Sequence, residues 1–180
     1  MENRITLVTG GCRSGKSRHA LYLANGVPGE NRVFMATSMP VDLEMEERIA
    51  SHRRERGNMW RTCEEAEHVP DKITQISGQV DVILVDCMTF WISNLLYAEY
   101  DKADIGKAID RLRKALEDAR CPVILVSNEV GCGIVPEHPV SRLFRDMTGL
   151  ANQKTASAAD RVIWMVAGIP VCIKPERSGS

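Results

Sequence analysis

Gly10-Gly11-Cys12-Arg13-Ser14-Gly15-Lys16-Ser17 is the stretch whose residue types and spacing most directly specify chemistry. Glycines at its two ends let backbone N–H groups curl around an anion, and a helix that starts there adds its positive end. Lys16 is placed to reach the β and γ phosphates of a nucleoside triphosphate, and Ser17 to ligate Mg²⁺. The loop follows an apolar run and opens a helical pattern, the context that separates a phosphate loop from an incidental glycine turn.

Two further groups could act with it. Asp86 ends the apolar run Val82-Ile83-Leu84-Val85, so its carboxylate emerges at the carboxyl edge of a sheet, where open α/β folds bind ligands. It reads either as the acid that holds the metal or as a turn or N-cap aspartate. His52 falls in a helical pattern with Met45 and Ile49 at i, i+4, i+7, which turns it toward the protein body. Spacing alone leaves it a packing residue or a nucleophile. Arg53, Arg54 and Arg56, with Glu55 among them, read first as a solvated helix end, the commoner origin of such a run, or else as the counter-charge of a polyphosphate beside that histidine.

The elements that must position these groups are legible in outline. Ile5 to Thr9, Arg32 to Thr37, Val82 to Asp86 and Val123 to Ser127 are apolar nearly throughout, as strands covered on both faces are. Val162 to Val166 and Val171 to Ile173 add a fifth and a sixth. Helical patterns run over Lys16 to Ala24, Asp42 to Arg56, Thr89 to Glu99, Asp104 to Ala119 and Val140 to Ala159. The alternation predicts an α/β fold: a single P-loop, RecA-like domain over 1–174 with a mostly parallel, doubly wound sheet and helices on both faces, then a loose tail over 175–180.

Composition narrows the partners. With 23 Lys and Arg against 24 Asp and Glu, no global field concentrates nucleic acid or anionic membrane, and a small ligand is expected instead. Aromatics are 5% of residues with no basic stripe among them, which argues against a RecA-like ATPase module that grips nucleic acid. No apolar stretch approaches the roughly 20 residues of a membrane span. Nothing in the first residues reads as a signal peptide, and six scattered cysteines without C-x-x-C spacing fit reduced thiols, so a cytoplasmic location is expected.

The chain resembles the bifunctional adenosylcobinamide kinase / adenosylcobinamide-phosphate guanylyltransferase family of cobalamin biosynthesis. The matching stretches begin with Thr9 to Ser17, Ala36-Thr37-Ser38, Arg48-Ile49 with His52-Arg53, and Trp60-Arg61-Thr62 with Glu64. They continue through Asp86 to Thr89, Ser93 to Leu96, Asn128-Glu129-Val130-Gly131, Gly133 to Pro136, Arg142, Phe144 to Asp146, Asn152-Gln153, Ala159-Asp160 and Gly168-Ile169-Pro170. The phosphate loop alone would match many enzymes; the Asn128 to Pro136 run is far more specific, and it sets the chain apart from a P-loop kinase of some other small molecule.

The resemblance implies two reactions. In one, the hydroxyl of the aminopropanol arm of adenosylcobinamide attacks the γ phosphate of ATP or GTP. In the other, His52 attacks the α phosphate of GTP, and the resulting GMP-histidine passes GMP to adenosylcobinamide phosphate, giving adenosylcobinamide-GDP. It further implies that Gly10 to Ser17, Ala36, Thr37, Ser38, Arg53 to Arg56, Glu64 and Asp86 bind nucleotide, that Ser17, Asp86 and Glu64 lie at the metal, and that the chain forms a homo-oligomer, a trimer. Gly57 stands where that family often carries Pro, and Cys12 adds a thiol inside the phosphate loop. Without an Asn-Lys-x-Asp motif, the choice of guanine rests on the resemblance.

Overall fold

A computed structural model describes residues 5–39 and 59–175. Among the described residues seven strands form one sheet: β1 (Ile5–Gly10), β2 (Arg32–Ala36), β3 (Trp60–Glu64), β4 (Val82–Asp86), β5 (Val123–Asn128), β6 (Arg161–Val166) and β7 (Ile169–Lys174). Their order across the sheet is β3-β2-β4-β5-β1-β6-β7, all parallel except the antiparallel pair β6–β7. The described helices are α1 (Lys16–Asn25), α2 (Val69–Ile76), α3 (Met88–Tyr97), α4 (Lys102–Glu117) and α5 (Pro139–Ala158).

Strand side chains alternate between two apolar layers, as the period of two requires. Ile5, Leu7, Val33, Met35, Ile83, Val85, Val123 and Leu125 pack with α2 to α5 in one layer. Val8, Phe34, Val82, Leu84, Ile124 and Val126 pack with Ala20 and Ala24 of α1 in the other. Burial on both faces is why these strands read as unbroken apolar runs. Along α4 the stripe Ile105, Ala108, Ile109, Leu112, Ala115 and Leu116 is buried. Asp101 starts that helix by accepting from the Asp104 N–H at 2.8 Å.

Two elements are additional to those the sequence patterns predict. β3 is an edge strand with only Trp60 buried, so its Trp-Arg-Thr-Cys-Glu composition carries no apolar run. α2 has eight residues, with Pro70 at its start and Val69, Ile73 and Ile76 facing inward; so short a stripe falls below the length at which periodicity stands out. The expected sixth strand is present as β7, longer than Val171 to Ile173 and joined to β6 through Ala167 (φ 50°) and Gly168 (φ 83°), the two positive φ values of a tight hairpin turn. The expected helix Asp42 to Arg56, and with it His52, Arg53, Arg54, Glu55 and Arg56, lies outside the described residues, as do Gly57 and the tail beyond Pro175.

Candidate active site

The phosphate loop leaves β1 at the carboxyl edge of the sheet and enters α1. Gly10 cannot be replaced there: at φ 155° a Cβ would sit 2.6 Å from the Met165 carbonyl oxygen of neighbouring β6. Gly15, at φ 89°, is the N-cap of α1 and offers no side-chain cap, and no acidic residue occupies the first turn. The first N–H groups and the positive helix end are therefore left for an external anion. The His19 N–H closes the first helical bond on Gly15 O at 3.0 Å.

Internal contacts shape the loop. The Ser14 N–H donates to Gly11 O at 3.3 Å, and the Gly168 N–H of the β6–β7 turn donates to Ser14 O at 3.0 Å. The hairpin thus props the loop from outside. Lys16 Nζ donates to Gly11 O at 3.0 Å, which folds the ammonium back over the cradle. Gly11, Cys12 and Arg13 are exposed, and Ser14 is buried. On α1, burial and the Arg161 charge hold the His19 imidazole below its ordinary pKa, so it adds no charge beside the loop near pH 7.

Asp86 ends β4, level with Val126 of β5 and, across it, Val8 of β1. Two strand spacings, about 10 Å, separate it from β1, within the span of a bound triphosphate and its metal. Ser17 lies in the first turn of α1, and this helix packs against β1, β4 and β5. Among the described residues no cluster of three His, Cys, Asp or Glu could hold a metal. One hydroxyl and one carboxylate at a phosphate cradle are instead the donor set that suits Mg²⁺, which takes few protein oxygens and fills its shell with phosphate and water.

Glu64 stands elsewhere. It pairs with Ala36, which pairs with Asp86, so it lies two strands beyond Asp86 on the side away from the phosphate loop. The structure does not bring it to Ser17. Ala36 and Ser38 are half-buried at the same edge.

Thr37 is fully buried, and its polar groups are spent within the protein. Its hydroxyl donates to Cys87 O at 2.7 Å and accepts from the Cys87 N–H at 2.8 Å; its own N–H donates to Asp86 O at 3.2 Å. Asn94 Nδ2 donates to Thr37 O at 2.8 Å and to Ala66 O at 2.9 Å. Thr37 is thus a clamp between β2 and the turn after β4, where the Asp86–Cys87 peptide is cis. In this position its hydroxyl holds the carboxyl ends of β2 and β4 together at the edge where the phosphate loop lies.

A further network has no counterpart in motif reading. Asn128 ends β5 as the Cα partner of Gly10, and the next N–H, on Glu129, donates to Gly10 O at 3.0 Å. The Asn128 N–H and Nδ2 both donate to Thr89 Oγ1, at 3.2 and 3.1 Å, and Asn152 Nδ2 of α5 donates to Asn128 O at 3.2 Å. Arg145 of α5 donates to Gly131 O and Arg142 to the carbonyls of Pro136 and Glu137, which fastens the loop after β5 to α5. These residues fall in the stretches that carry the resemblance, yet their spacing gives no hint that they meet.

A family model described as cobinamide kinase / cobinamide phosphate guanyltransferase matches residues 6–173. The bifunctional adenosylcobalamin biosynthesis protein CobU of Salmonella typhimurium is 45% identical over 180 residues, covering 93% of this chain and 98% of the relative. Its Escherichia coli counterpart is 42% identical with the same coverage. The bifunctional adenosylcobalamin biosynthesis protein CobP of Pseudomonas aeruginosa is 38% identical over 170 residues, covering 94% and 97%. Among solved structures, the ATPase domain of G40P aligns with TM-score 0.58 at 13% identity, over 99% of this chain and 78% of that one. The flagellar accessory protein FlaH of Methanocaldococcus jannaschii aligns with TM-score 0.54 at 13% identity, over 96% and 79%. At such identities these two speak to the fold alone, a P-loop ATPase architecture.

Proposed function

The chain belongs to the cobinamide kinase / cobinamide phosphate guanyltransferase family, a bifunctional enzyme of cobalamin biosynthesis, and from that premise we propose how its residues divide the two reactions. The kinase half takes place at the phosphate loop. The terminal hydroxyl of the cobinamide's aminopropanol arm attacks the γ phosphorus of ATP or GTP. A new O–P bond forms, the bond to the β–γ bridging oxygen breaks, the nucleoside diphosphate leaves, and the hydroxyl proton passes to solvent. Lys16 moves from Gly11 O to the β and γ oxygens, and the first N–H groups of α1 take up the charge that develops there. Ser17 and Asp86 would hold Mg²⁺, which offsets phosphate charge when bound.

The observation that carries this reading is the unneutralised N-terminus of α1, with Lys16 folded over it and Asp86 at the same sheet edge. Gly10, Gly11, Cys12, Arg13, Ser14 and Gly15 supply the cradle, largely through backbone, with Ala36 and Ser38 farther along the edge.

The guanylyl half takes place at the other end of the triphosphate. A nitrogen of His52 attacks the α phosphorus of GTP and pyrophosphate leaves. A phosphate oxygen of the cobinamide phosphate then attacks the same phosphorus and frees the histidine. Arg53, Arg54 and Arg56 balance the triphosphate charge, with Glu55 among them, and Glu64, on the β3 side of the edge, serves this end of the nucleotide.

The chain works as a homo-oligomer, a trimer as the resemblance implies. Support comes from the β6–β7 hairpin, where the cross-strand pairs Trp164–Val171 and Val166–Ile169 are exposed. Apolar pairs of that kind on a sheet edge invite a partner. No described helix is long and apolar enough to cross a membrane.

Labelled GTP tests the division of labour. The α label is expected to remain on the protein as an acid-labile, base-stable adduct, absent in His52→Asn, while the γ label leaves none. An α label that does not stay, or that persists in His52→Asn, refutes the covalent route.

A further inference from the structure

We propose that Asn128 orients the hydroxyl that attacks the γ phosphate, and that Thr89 is the positioning residue that sets Asn128 for this task. Both roles go beyond the residues assigned above, and the inference rests on the reading that the kinase reaction uses the phosphate loop.

The hydrogen-bond inventory fixes the arrangement. A threonine hydroxyl has two lone pairs and one proton. Thr89 Oγ1 receives the backbone N–H and the Nδ2–H of Asn128, groups that can only donate. The remaining contact, Cys87 Sγ at 3.2 Å, therefore takes the hydroxyl proton. Thr89 is buried in the first turn of α3, one turn of chain beyond Asp86, so its oxygen ties the end of β4 to the end of β5.

That tie determines which way the Asn128 amide faces. With Nδ2 committed to Thr89, Oδ1 points away from it and accepts no hydrogen bond among the described residues. Asn128 sits beside Gly10, held from three sides: by Thr89, by Asn152 Nδ2 on its carbonyl oxygen, and by the adjoining Glu129 N–H on Gly10 O. A side-chain carbonyl oxygen on a partly buried residue, held at the first glycine of a phosphate cradle, suits a neutral O–H donor. It repels a phosphate oxygen. The alcohol of the substrate is that donor, and one hydrogen bond fixes its oxygen in line with the γ phosphorus. The amide takes no proton; as the O–P bond forms and the diphosphate departs, the hydroxyl proton passes to solvent.

The test uses the full chain with Thr89→Val, Thr89→Ser, Asn128→Ala and the double variant Thr89→Val/Asn128→Ala. Thr89→Val and Asn128→Ala are each expected to lower kinase kcat about 10- to 100-fold, with nucleotide KM within about threefold of the parent. The double variant should lose no more than the worse single one, because Thr89 acts through Asn128. Thr89→Ser keeps the hydroxyl and should return kcat to within about threefold of the parent. Retention of the α label from GTP, which needs no substrate alcohol, should persist in all four. Losses that multiply in the double variant, a serine variant as slow as the valine one, or loss of α labelling together with kinase turnover each overturn the proposal. Should Thr89→Val fail to fold, unchanged kcat in Asn128→Ala overturns it alone. Lys16→Ala is the control for the site itself: intact kinase turnover there refutes the phosphate-loop reading and leaves the Thr89–Asn128 coupling to be judged separately.

Discussion

Replacing Thr37 with valine exchanges one hydroxyl for a methyl group of nearly the same shape, at a position with no exposure to solvent. The hydroxyl serves both polar groups of one residue, donating to Cys87 O and accepting from the Cys87 N–H, at 2.7 and 2.8 Å. Valine leaves the Cys87 N–H buried and unpaired, while Cys87 O keeps the Trp91 N–H at 3.2 Å. An unsatisfied buried backbone group costs about 1–3 kcal/mol, and that is the expected loss. Domains are stable by only about 5–15 kcal/mol, which makes the loss large. In urea, with a slope of about 2 kcal/mol/M, the unfolding midpoint should fall by about 0.5–1.5 M.

Thr37→Ser provides the contrast. It keeps both hydrogen bonds and gives up one buried methyl, at about 1 kcal/mol, so its midpoint should fall by no more than about 0.5 M. Because the clamp sits against the Asp86–Cys87 turn, the valine variant should also need more Mg²⁺ for half-maximal kinase rate. A valine variant whose midpoint stays within about 0.3 M of the parent, or a serine variant less stable than the valine one, would refute the clamp.

Gly10→Ala should abolish tight nucleotide binding while the chain still folds, because a Cβ 2.6 Å from Met165 O must push the loop off β6; titration with a fluorescent nucleotide checks this, and unchanged affinity would count against the close approach. Stability should fall as pH rises from 9 toward 11. Burial, with the Asp86 and Asp81 charges behind it, pushes the Cys87 and Cys121 thiols up to about 11 from 9.0, so the folded state keeps protons that the unfolded chain releases. The stabilisation is complete below the unfolded value and is lost above it, by at most about 2–3 kcal/mol per thiol. Cys121→Ala should flatten that slope in urea unfolding at pH 8, 9 and 10. Trp164→Glu on the exposed hairpin should shift the protein to monomer in light scattering, and an unchanged mass would place the subunit contact elsewhere.

The phosphate loop, the buried parallel strands and the place of Asp86 were legible because each is written locally: a glycine spacing, an unbroken apolar run, an acid at its end. β3 and α2 were not. An edge strand has one neighbour and little buried surface, so Trp60 to Glu64 carries no pattern, and the four buried positions of α2 are too few to display a period. The resemblance brought Thr37 and Glu64 into one list of nucleotide contacts, but sequence order says nothing about lateral position in a sheet. The strand order β3-β2-β4-β5-β1 decides that Glu64 is two strands beyond Asp86, and burial decides that Thr37 faces Cys87.

By itself the sequence determined which residues can bear phosphate chemistry, because those capacities belong to side-chain types and short spacings. Only the tertiary structure decided which of them meet. Thr89 and Asn128 are 39 residues apart along the chain and share one hydrogen-bonded oxygen at the sheet edge, and Gly168 reaches back to support Ser14. Such meetings depend on strand order and register, set by how the whole apolar core packs, and no local spacing records them.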